Sequence, residues 1–242
     1  MLRGIYAAAS GMDAAMSAHE TVAQNLANSS VPGYRRMTIP FSSLLQSEEN
    51  GAAADTRETI GVSAGKPIID FTPGAYAETG APLDLAIHGD GFFVVQGPNG
   101  PLYTRNGAFQ IDAEGQIVTG DGLPLLGTQG PLRMPADSEL ADLNVAEDGL
   151  ITVGEQQVGT LNLVRFNELT DFDLQGSTLF RAPEDVRPQP AEVRVLQGYR
   201  ESSNVSPMNE LIQMIAAQRR YETLQRTLAT MDRSMQRRME SN

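Results

Sequence analysis

Apolar residues recur at alternating steps of three and four near both ends of the chain, whereas the residues between follow shorter patterns broken by turns. The N-terminal stripe consists of Ile5, Ala9, Met12, Met16, His19, Ala23 and Leu26. The C-terminal stripe consists of Leu211, Met214, Ile215, Tyr221, Leu224, Leu228, Met231 and Met235. Because this spacing places side chains on one face of a helix, it predicts two terminal helices, each of which needs a helical partner.

Local signals mark where these helices begin and end. The first helix is predicted from Leu2 to Ala27, since Pro32 and Gly33 cannot continue it. The last helix is predicted to begin at Pro207, with Ser206 as its N-cap. A helix with such an apolar stripe frays or aggregates when it is alone. The stripes are therefore expected to be buried, either in the domain of the same chain or between subunits.

The middle of the chain reads as β-structure. The alternation of Leu83, Leu85 and Ile87 with polar or small residues predicts a half-buried strand, and turns such as Gly89-Asp90-Gly91 follow at short intervals. We therefore expect an α+β fold, in which the terminal helices pair as a coiled-coil-like unit. The expected segments are a helix at 1–33, an extended connector at 34–81, an antiparallel β-domain at 82–182, a return segment at 183–205 and a helix at 206–242. Residues 47–55 are expected to form an exposed loop.

Charge excludes some classes of partner. The net charge is −12, but residues 1–36 carry +1, residues 200–242 carry +2 and the middle carries −15. An acidic body argues against binding to nucleic acid, which requires a basic face. No apolar run is long enough for a transmembrane helix. Residues 4–12 contain no leucine and are followed by the charged Asp13, so we do not expect a cleaved signal peptide.

Candidate catalytic and metal-binding groups are few. The chain has no Cys, and its two histidines, His19 and His88, lie in unlike contexts. Asp171 and Asp173 form a pair of carboxylates, but no base or metal ligand accompanies them. We therefore predict no catalytic, cofactor-binding or metal-binding residues. A hydrolase that uses acidic residues of the β-domain is the disfavoured alternative.

Three pairs of adjacent arginines stand out, namely Arg35-Arg36, Arg219-Arg220 and Arg237-Arg238. Pairs of this kind commonly solvate an exposed face. The more specific interpretation is that they meet acidic surfaces on neighbouring subunits and fix the register of the contact.

The junction after the first helix consists of Asn25, Leu26, Ala27, Asn28, Pro32, Gly33 and Tyr34, in the run 25–34. It resembles the signature of bacterial flagellar rod and hook proteins, whose first helix ends in N-L-A-N-x-x-T-P-G-[FY]. Residues 8–12, 83–93, 103–107, 197–205 and 214–222 are similar to other parts of the same family. Gln24 and Val31 depart from the pattern, but the helix-breaking Pro32 and Gly33 are kept.

The resemblance implies a non-enzymatic structural subunit of the flagellar basal body. Such a protein is exported through the flagellar type III apparatus and assembles in the periplasm into a hollow rod, with its terminal helices lining the tube. Its partners are copies of itself, other rod and hook proteins and the export apparatus, with no small-molecule substrate. The compact β-domain, residues 130–135 and residues 158–161 favour the proximal rod, whereas residues 196–199 favour the distal rod. A β-domain that binds a ligand by itself is the alternative from another class.

Overall fold

The computed structural model describes residues 2–45, 59–136 and 138–240. In this part of the chain, two terminal helices enclose a series of antiparallel strands, so the predicted α+β class is confirmed. The chain divides into two compact units. The helical unit takes the described residues within 1–27, 37–70 and 206–242, and the β unit takes those within 28–36 and 71–205. The predicted loop at 47–55 lies outside the described residues.

Two helices form the body of the helical unit. Helix α1 spans Leu2–Ala27 and helix α2 spans Pro207–Glu240, so both begin and end close to the positions that the sequence predicts. In the first turn of α2, the N–H of Glu210 donates to the carbonyl of Ser206 at 3.0 Å. The two helices run antiparallel, since Gly4 lies against Met231 and Gly11 against Leu224. Neither helix has a described stretch that is long and apolar enough to cross a membrane.

Two short two-stranded sheets complete the helical unit. Their strands are β1 (Met37–Thr38), β2 (Phe41–Leu45), β3 (Thr59–Ala64) and β4 (Ile68–Ile69). Strand β1 pairs with β4 and β2 pairs with β3, both antiparallel. Strand β3 lies along α1, where the N–H of Val62 donates to Ser10 Oγ at 3.2 Å. The described residues within 37–70 of the predicted connector therefore pack with the helices, and residues 71–81 belong to the β unit.

The β unit contains many short strands. They are β5 (Tyr76–Glu78), β6 (Leu85–His88), β7 (Phe92–Gly97), β8 (Gly100–Thr104), β9 (Phe109–Ile111), β10 (Ile117–Thr119), β11 (Leu126–Gly127), β12 (Gly130–Pro131), β13 (Leu143–Val145), β14 (Leu150–Val153), β15 (Gln156–Thr160), β16 (Leu163–Arg165), β17 (Asp173–Gln175), β18 (Leu179–Arg181), β19 (Gln189–Pro190), β20 (Arg194–Gln197) and β21 (Tyr199–Glu201), with a short 3-10 helix at Leu140–Asp142. Six strands form one sheet in the order β17-β18-β8-β7-β16-β19, and β13-β14-β15 form another. Strand β20 pairs with β6 and β21 pairs with β5, so the return segment is part of this unit.

Aliphatic and aromatic side chains fill the interior of the β unit. Its aliphatic core includes Ile87, Leu125 and Ile151. Beside it, phenylalanine rings pack edge to face with centroids 5.0 to 6.2 Å apart; they are Phe71, Phe92, Phe166, Phe172 and Phe180. Such pairs add to the stabilisation that comes from burying apolar area.

The strand around Leu85 is packed on both faces, so the expectation that it is half-buried is wrong. Asp84 is only 2% exposed and Ala86 is fully buried. The carboxylate of Asp84 accepts from Thr79 Oγ1 at 2.5 Å and pairs with Arg200 Nε at 2.7 Å. Alternation does not reveal this burial, because a buried acid with partners looks in the sequence like a solvated one.

Candidate assembly surface

Small residues of α1 form the face that packs against α2. Gly4, Gly11 and Asn25 contact α2 directly, and Ala8, Ala15, Ala18 and Val22 continue the same alternating steps of four and three along this face. A Cβ added at Gly4 would lie 3.3 Å from Met231 Cε, and one added at Gly11 would lie 3.2 Å from Leu224 Cδ1. Because these positions carry so little side chain, the two helix axes approach closely.

The facing side of α2 contains most of the predicted C-terminal stripe. Its members are Glu210, Met214, Ala217, Tyr221, Leu224, Leu228, Met231 and Met235, all of which are buried or partly buried. Two predicted residues lie elsewhere: Leu211 is 43% exposed and Ile215 is 52% exposed. With Met208 and Ile212, at 68% and 59% exposure, they form an apolar patch on the opposite side of the first turns of α2.

Each residue of the predicted stripe on α1 follows, by one position in the sequence, a residue of the face that contacts α2. The stripe is therefore turned to the side of that face. Ile5, Met12, His19, Ala23 and Leu26 are partly buried, whereas Ala9 and Met16 are exposed. Met16 and His19 line a shallow groove together with Ala217, Gln218 and Tyr221 of α2. The stripe therefore borders the helix pair and keeps much of its apolar surface accessible.

Asn25 and Glu210 connect three segments of the helical unit. Asn25 is fully buried, and its Oδ1 accepts from the N–H of Met37 at 2.9 Å while its Nδ2 donates to the carbonyl of Met37 at 2.8 Å. The same Nδ2 donates to Glu210 Oε2 at 3.2 Å. Asn25 therefore satisfies both backbone groups of a buried residue, which only a side chain with a donor and an acceptor can do.

Two other residues of the junction, Gly33 and Tyr34, belong to the β unit and are buried in it. Gly33 has φ of +70°, and a Cβ there would lie 2.3 Å from the backbone nitrogen of Asn106, so this position requires glycine. Tyr34 is fully buried, and the N–H of Val31 donates to the carbonyl of Asn28 at 3.0 Å. The remaining junction residues lie nearer the surface: Pro32 and Leu26 are partly buried and Ala27 is exposed.

A buried carboxylate between two arginines is the main charged feature of the β unit. Arg35 Nη2 lies 2.6 Å from Glu201 Oε1, and Arg105 Nη1 lies 3.4 Å from Glu201 Oε2. The side chains of Arg35 and Glu201 are completely buried. The N–H of Gly74 also donates to Glu201 Oε1 at 3.0 Å. Burial lowers the pKa of Arg105, and the nearby Glu201 opposes this effect.

The cluster corrects the prediction that Arg35 lies on a solvated face or meets a neighbouring subunit. Sequence reasoning missed it because Arg35 and Glu201 are 166 residues apart, and the Arg35-Arg36 pair by itself does not indicate a buried partner. Arg36 is partly buried, whereas Arg219, Arg220 and Arg237 are exposed as predicted. The side chain of Arg238 lies outside the described residues.

The two histidines belong to different units. His19 lies on α1, and His88 ends β6, where its ring centroid is 5.7 Å from that of Tyr76. Among the described residues, no group of three or more His, Asp or Glu side chains has the arrangement of a metal site. The arrangement that the structure does offer is a pair of long helices with exposed apolar faces, which suits association between proteins.

Comparison with known proteins gives three family matches that follow one another along the chain. They are "Flagella basal body rod protein" at residues 5–35, "Flagellar hook protein FlgE/F/G D1 domain" at 86–153 and "Flagellar basal body rod FlgEFG protein C-terminal" at 196–240. The flagellar basal-body rod protein FlgG of Buchnera aphidicola subsp. Acyrthosiphon pisum is 33% identical over 98% of both chains. FlgF of Caulobacter vibrioides is 35% identical over 85% of this chain and 83% of its own length. FlgF of Salmonella typhimurium is 32% identical over 96% of this chain and 95% of its own.

Proposed function

Because this chain belongs to the flagellar basal-body rod protein family, we propose that it polymerises through its terminal helices into the hollow rod of the flagellum, as a subunit of the proximal rod. The family is structural and non-enzymatic, and its members are parts of the flagellum. The partners we propose are copies of the same chain, other rod and hook proteins, and the flagellar type III apparatus that exports the chain to the periplasm.

The observation that carries this proposal is the surplus of apolar surface on the helix pair. One face of each helix is used within the chain, and we propose that the remaining faces form the seam between subunits. These faces are the predicted stripe of α1 and the patch of Met208, Leu211, Ile212 and Ile215 on α2. Full burial of one such side chain contributes roughly 1.5–3 kcal/mol, so completing the burial of four half-exposed ones stabilises a contact by several kcal/mol. The coiled-coil-like packing expected of the helices would then extend from one subunit to the next.

The compact β unit and the segments 130–135 and 158–161 support the proximal rod. The distal rod is the second candidate, favoured by residues 196–199, which lie in β20 and at the turn into β21. Electron microscopy that shows how much rod remains when this subunit is missing separates the two. A rod that ends near its base supports the proximal assignment, whereas an almost complete rod supports the distal one.

Met12→Asp tests whether the open stripe of α1 is a seam between subunits. We expect this charge to abolish assembly of the purified chain, because desolvating a carboxylate in an apolar contact costs several kcal/mol. Met12→Leu is the matched control, since it keeps the position apolar. Sedimentation velocity and electron microscopy measure assembly, and circular dichroism checks that the β unit stays folded. Assembly of Met12→Asp at the wild-type level would contradict the proposal.

Leu228→Asp tests the other face. Leu228 lies on the side of α2 that packs against α1, so its replacement should separate the helices and block assembly indirectly. Helical circular dichroism should fall in Leu228→Asp and remain unchanged in Met12→Asp. If both variants lose the same amount of helix, the two faces do not have the separate roles proposed here.

A further inference from the structure

Exposed residues on each helix form a row with a regular spacing of seven. The row on α1 consists of Tyr6, Asp13, Glu20 and Ala27, and we call it the α1 outer row. The row on α2 consists of Ile212, Arg219, Arg226 and Arg233, and we call it the α2 outer row. Seven residues correspond to almost two helical turns, so each row runs along its helix with a drift of only about 20° per step.

The two rows match in chemistry when they are read in opposite directions. An antiparallel alignment that places Asp13 opposite Arg226 also places Glu20 opposite Arg219. The same register sets Tyr6 opposite Arg233 and Ala27 opposite Ile212, which are an aromatic–cation pair and an apolar pair. Because both rows have the same spacing, one register brings all four positions opposite each other, and each of the four pairs is chemically compatible.

We propose that a second copy of this chain docks its α2 outer row on the α1 outer row in this antiparallel register. The inference rests on the proposed function, since it specifies the contact through which copies associate. Charge complementarity identifies the occupant: within these two rows the acids lie on α1 and the arginines lie on α2 of one and the same chain. The apolar patch of α2, which includes Ile212, lies at the end of the row and continues the contact.

The direction of the helices makes this contact suitable for a polymer. Within one chain α1 and α2 are antiparallel. If the α2 of a neighbouring copy is antiparallel to the α1 of the first copy, it is parallel to the α2 of the first copy. The two copies therefore point in the same direction. The contact joins two different faces, which makes it heterologous. A pair of copies then keeps one unused α1 outer row on one copy and one unused α2 outer row on the other, so the association continues instead of closing as a symmetric dimer.

Among the described residues, the ion pair of Arg226 within the chain is weak. Arg226 Nη2 lies 3.8 Å from Glu222 Oε2 in a pair that is 82% and 45% exposed. Exposed pairs of this kind contribute little to stability. The arginine is therefore available to exchange this partner for Asp13 of another copy. Because charges on a helix surface are screened by salt, the association should also weaken as ionic strength rises.

Charge reversal in the full-length chain tests the register. The α1 variant is Asp13→Arg with Glu20→Arg, and the α2 variant is Arg219→Glu with Arg226→Glu. Each variant alone should associate at least tenfold more weakly than wild type in sedimentation velocity. An equimolar mixture of the two should recover association to within about threefold of wild type, because every contact in an alternating copolymer pairs opposite charges.

A control and three outcomes make the test decisive. Arg187→Glu with Arg220→Glu reverses two exposed arginines outside the α2 outer row and should associate like wild type. If the mixture stays as weak as each variant, or if neither variant differs from wild type, the inference is overturned while the proposed function stands. If wild type itself remains a monomer at every concentration, the proposed polymerisation fails and the inference fails with it. Recovery by mixing supports both.

Discussion

Glu201→Gln should destabilise the β unit strongly, because it removes the charge that balances two buried guanidinium groups. The wild-type carboxylate accepts from Arg35 at 2.6 Å, from Arg105 at 3.4 Å and from the N–H of Gly74 at 3.0 Å. Glutamine has nearly the same shape, but it has one acceptor oxygen where the carboxylate has two. At least one arginine therefore loses its hydrogen-bond acceptor and lies next to the amide NH2 group instead. Arg35 is completely buried and cannot turn to water.

The expected loss follows from the burial of this cluster. Removing one partner of a buried ion pair typically costs about 3–5 kcal/mol, which is a large share of the roughly 5–15 kcal/mol that stabilises a domain. With a urea dependence of about 2 kcal/mol per molar, the midpoint should fall by roughly 1.5–2.5 M. Arg35→Met should cost less, since Glu201 then keeps Arg105 and Gly74 as partners.

Near-ultraviolet circular dichroism during urea unfolding is the appropriate assay. The chain has no Trp, and eleven of its fourteen Phe and Tyr residues lie in the β unit, so the aromatic signal reports mainly on this unit. Glu192→Gln is the matched control, because it makes the same chemical change at an exposed position. A Glu201→Gln midpoint within about 0.3 M of the control, equivalent to about 0.6 kcal/mol, would refute the reasoning.

Three further predictions concern single side chains. Gly33→Ala should lower the free energy of unfolding by more than about 2 kcal/mol, because φ is +70° and the added Cβ would lie 2.3 Å from a backbone atom. Gly120→Ala is the control, since Gly120 has open space around it, and it should change this free energy by less than about 0.5 kcal/mol. Urea unfolding measures both variants. Asn25→Ala leaves the buried N–H and carbonyl of Met37 without this partner, so the free energy of unfolding should fall by about 2–5 kcal/mol. Thermal unfolding measures this loss as a lower midpoint. A loss below about 1 kcal/mol would show that water replaces the amide. Burial raises the pKa of Tyr103 above its ordinary value of 10.0, so the phenol ionises first in the unfolded chain and stability should fall as pH rises above that value. In Tyr103→Phe, the free energy of unfolding should fall less steeply as pH rises above 10.0 than in wild type. The same slope in both proteins would contradict this prediction.

The ends of the helices were predictable because their signals are local. Pro32 and Gly33 stop α1 within a few residues, and Ser206 with Pro207 fixes the start of α2. The face of α1 that packs on α2 was not predictable in the same way. Packing selects Gly4, Ala8, Gly11 and Ala15 for their small size, whereas a search for hydrophobic side chains selects the larger residues one position later.

The buried polar groups were the least accessible to sequence reasoning. Asn25 belongs to the junction motif, but its contact with Glu210 spans 185 residues, which the motif does not reveal. Arg35 stands in an arginine pair that gives no hint of burial, and the pairing of β21 with β5 brings Glu201 next to Gly74. Long-range contacts of this kind leave no periodicity for a sequence pattern to detect.

Electron microscopy of basal bodies from a strain that lacks this protein tests the central claim most directly. The account predicts a rod that stops where this subunit should begin, with no hook beyond that point, and a complete rod once the wild-type gene is restored. Restoring the gene with Met12→Asp should leave the rod truncated, whereas Met12→Leu should complete it. Full-length rods and hooks in the deletion strain would contradict the claim that this protein is a structural subunit of the rod.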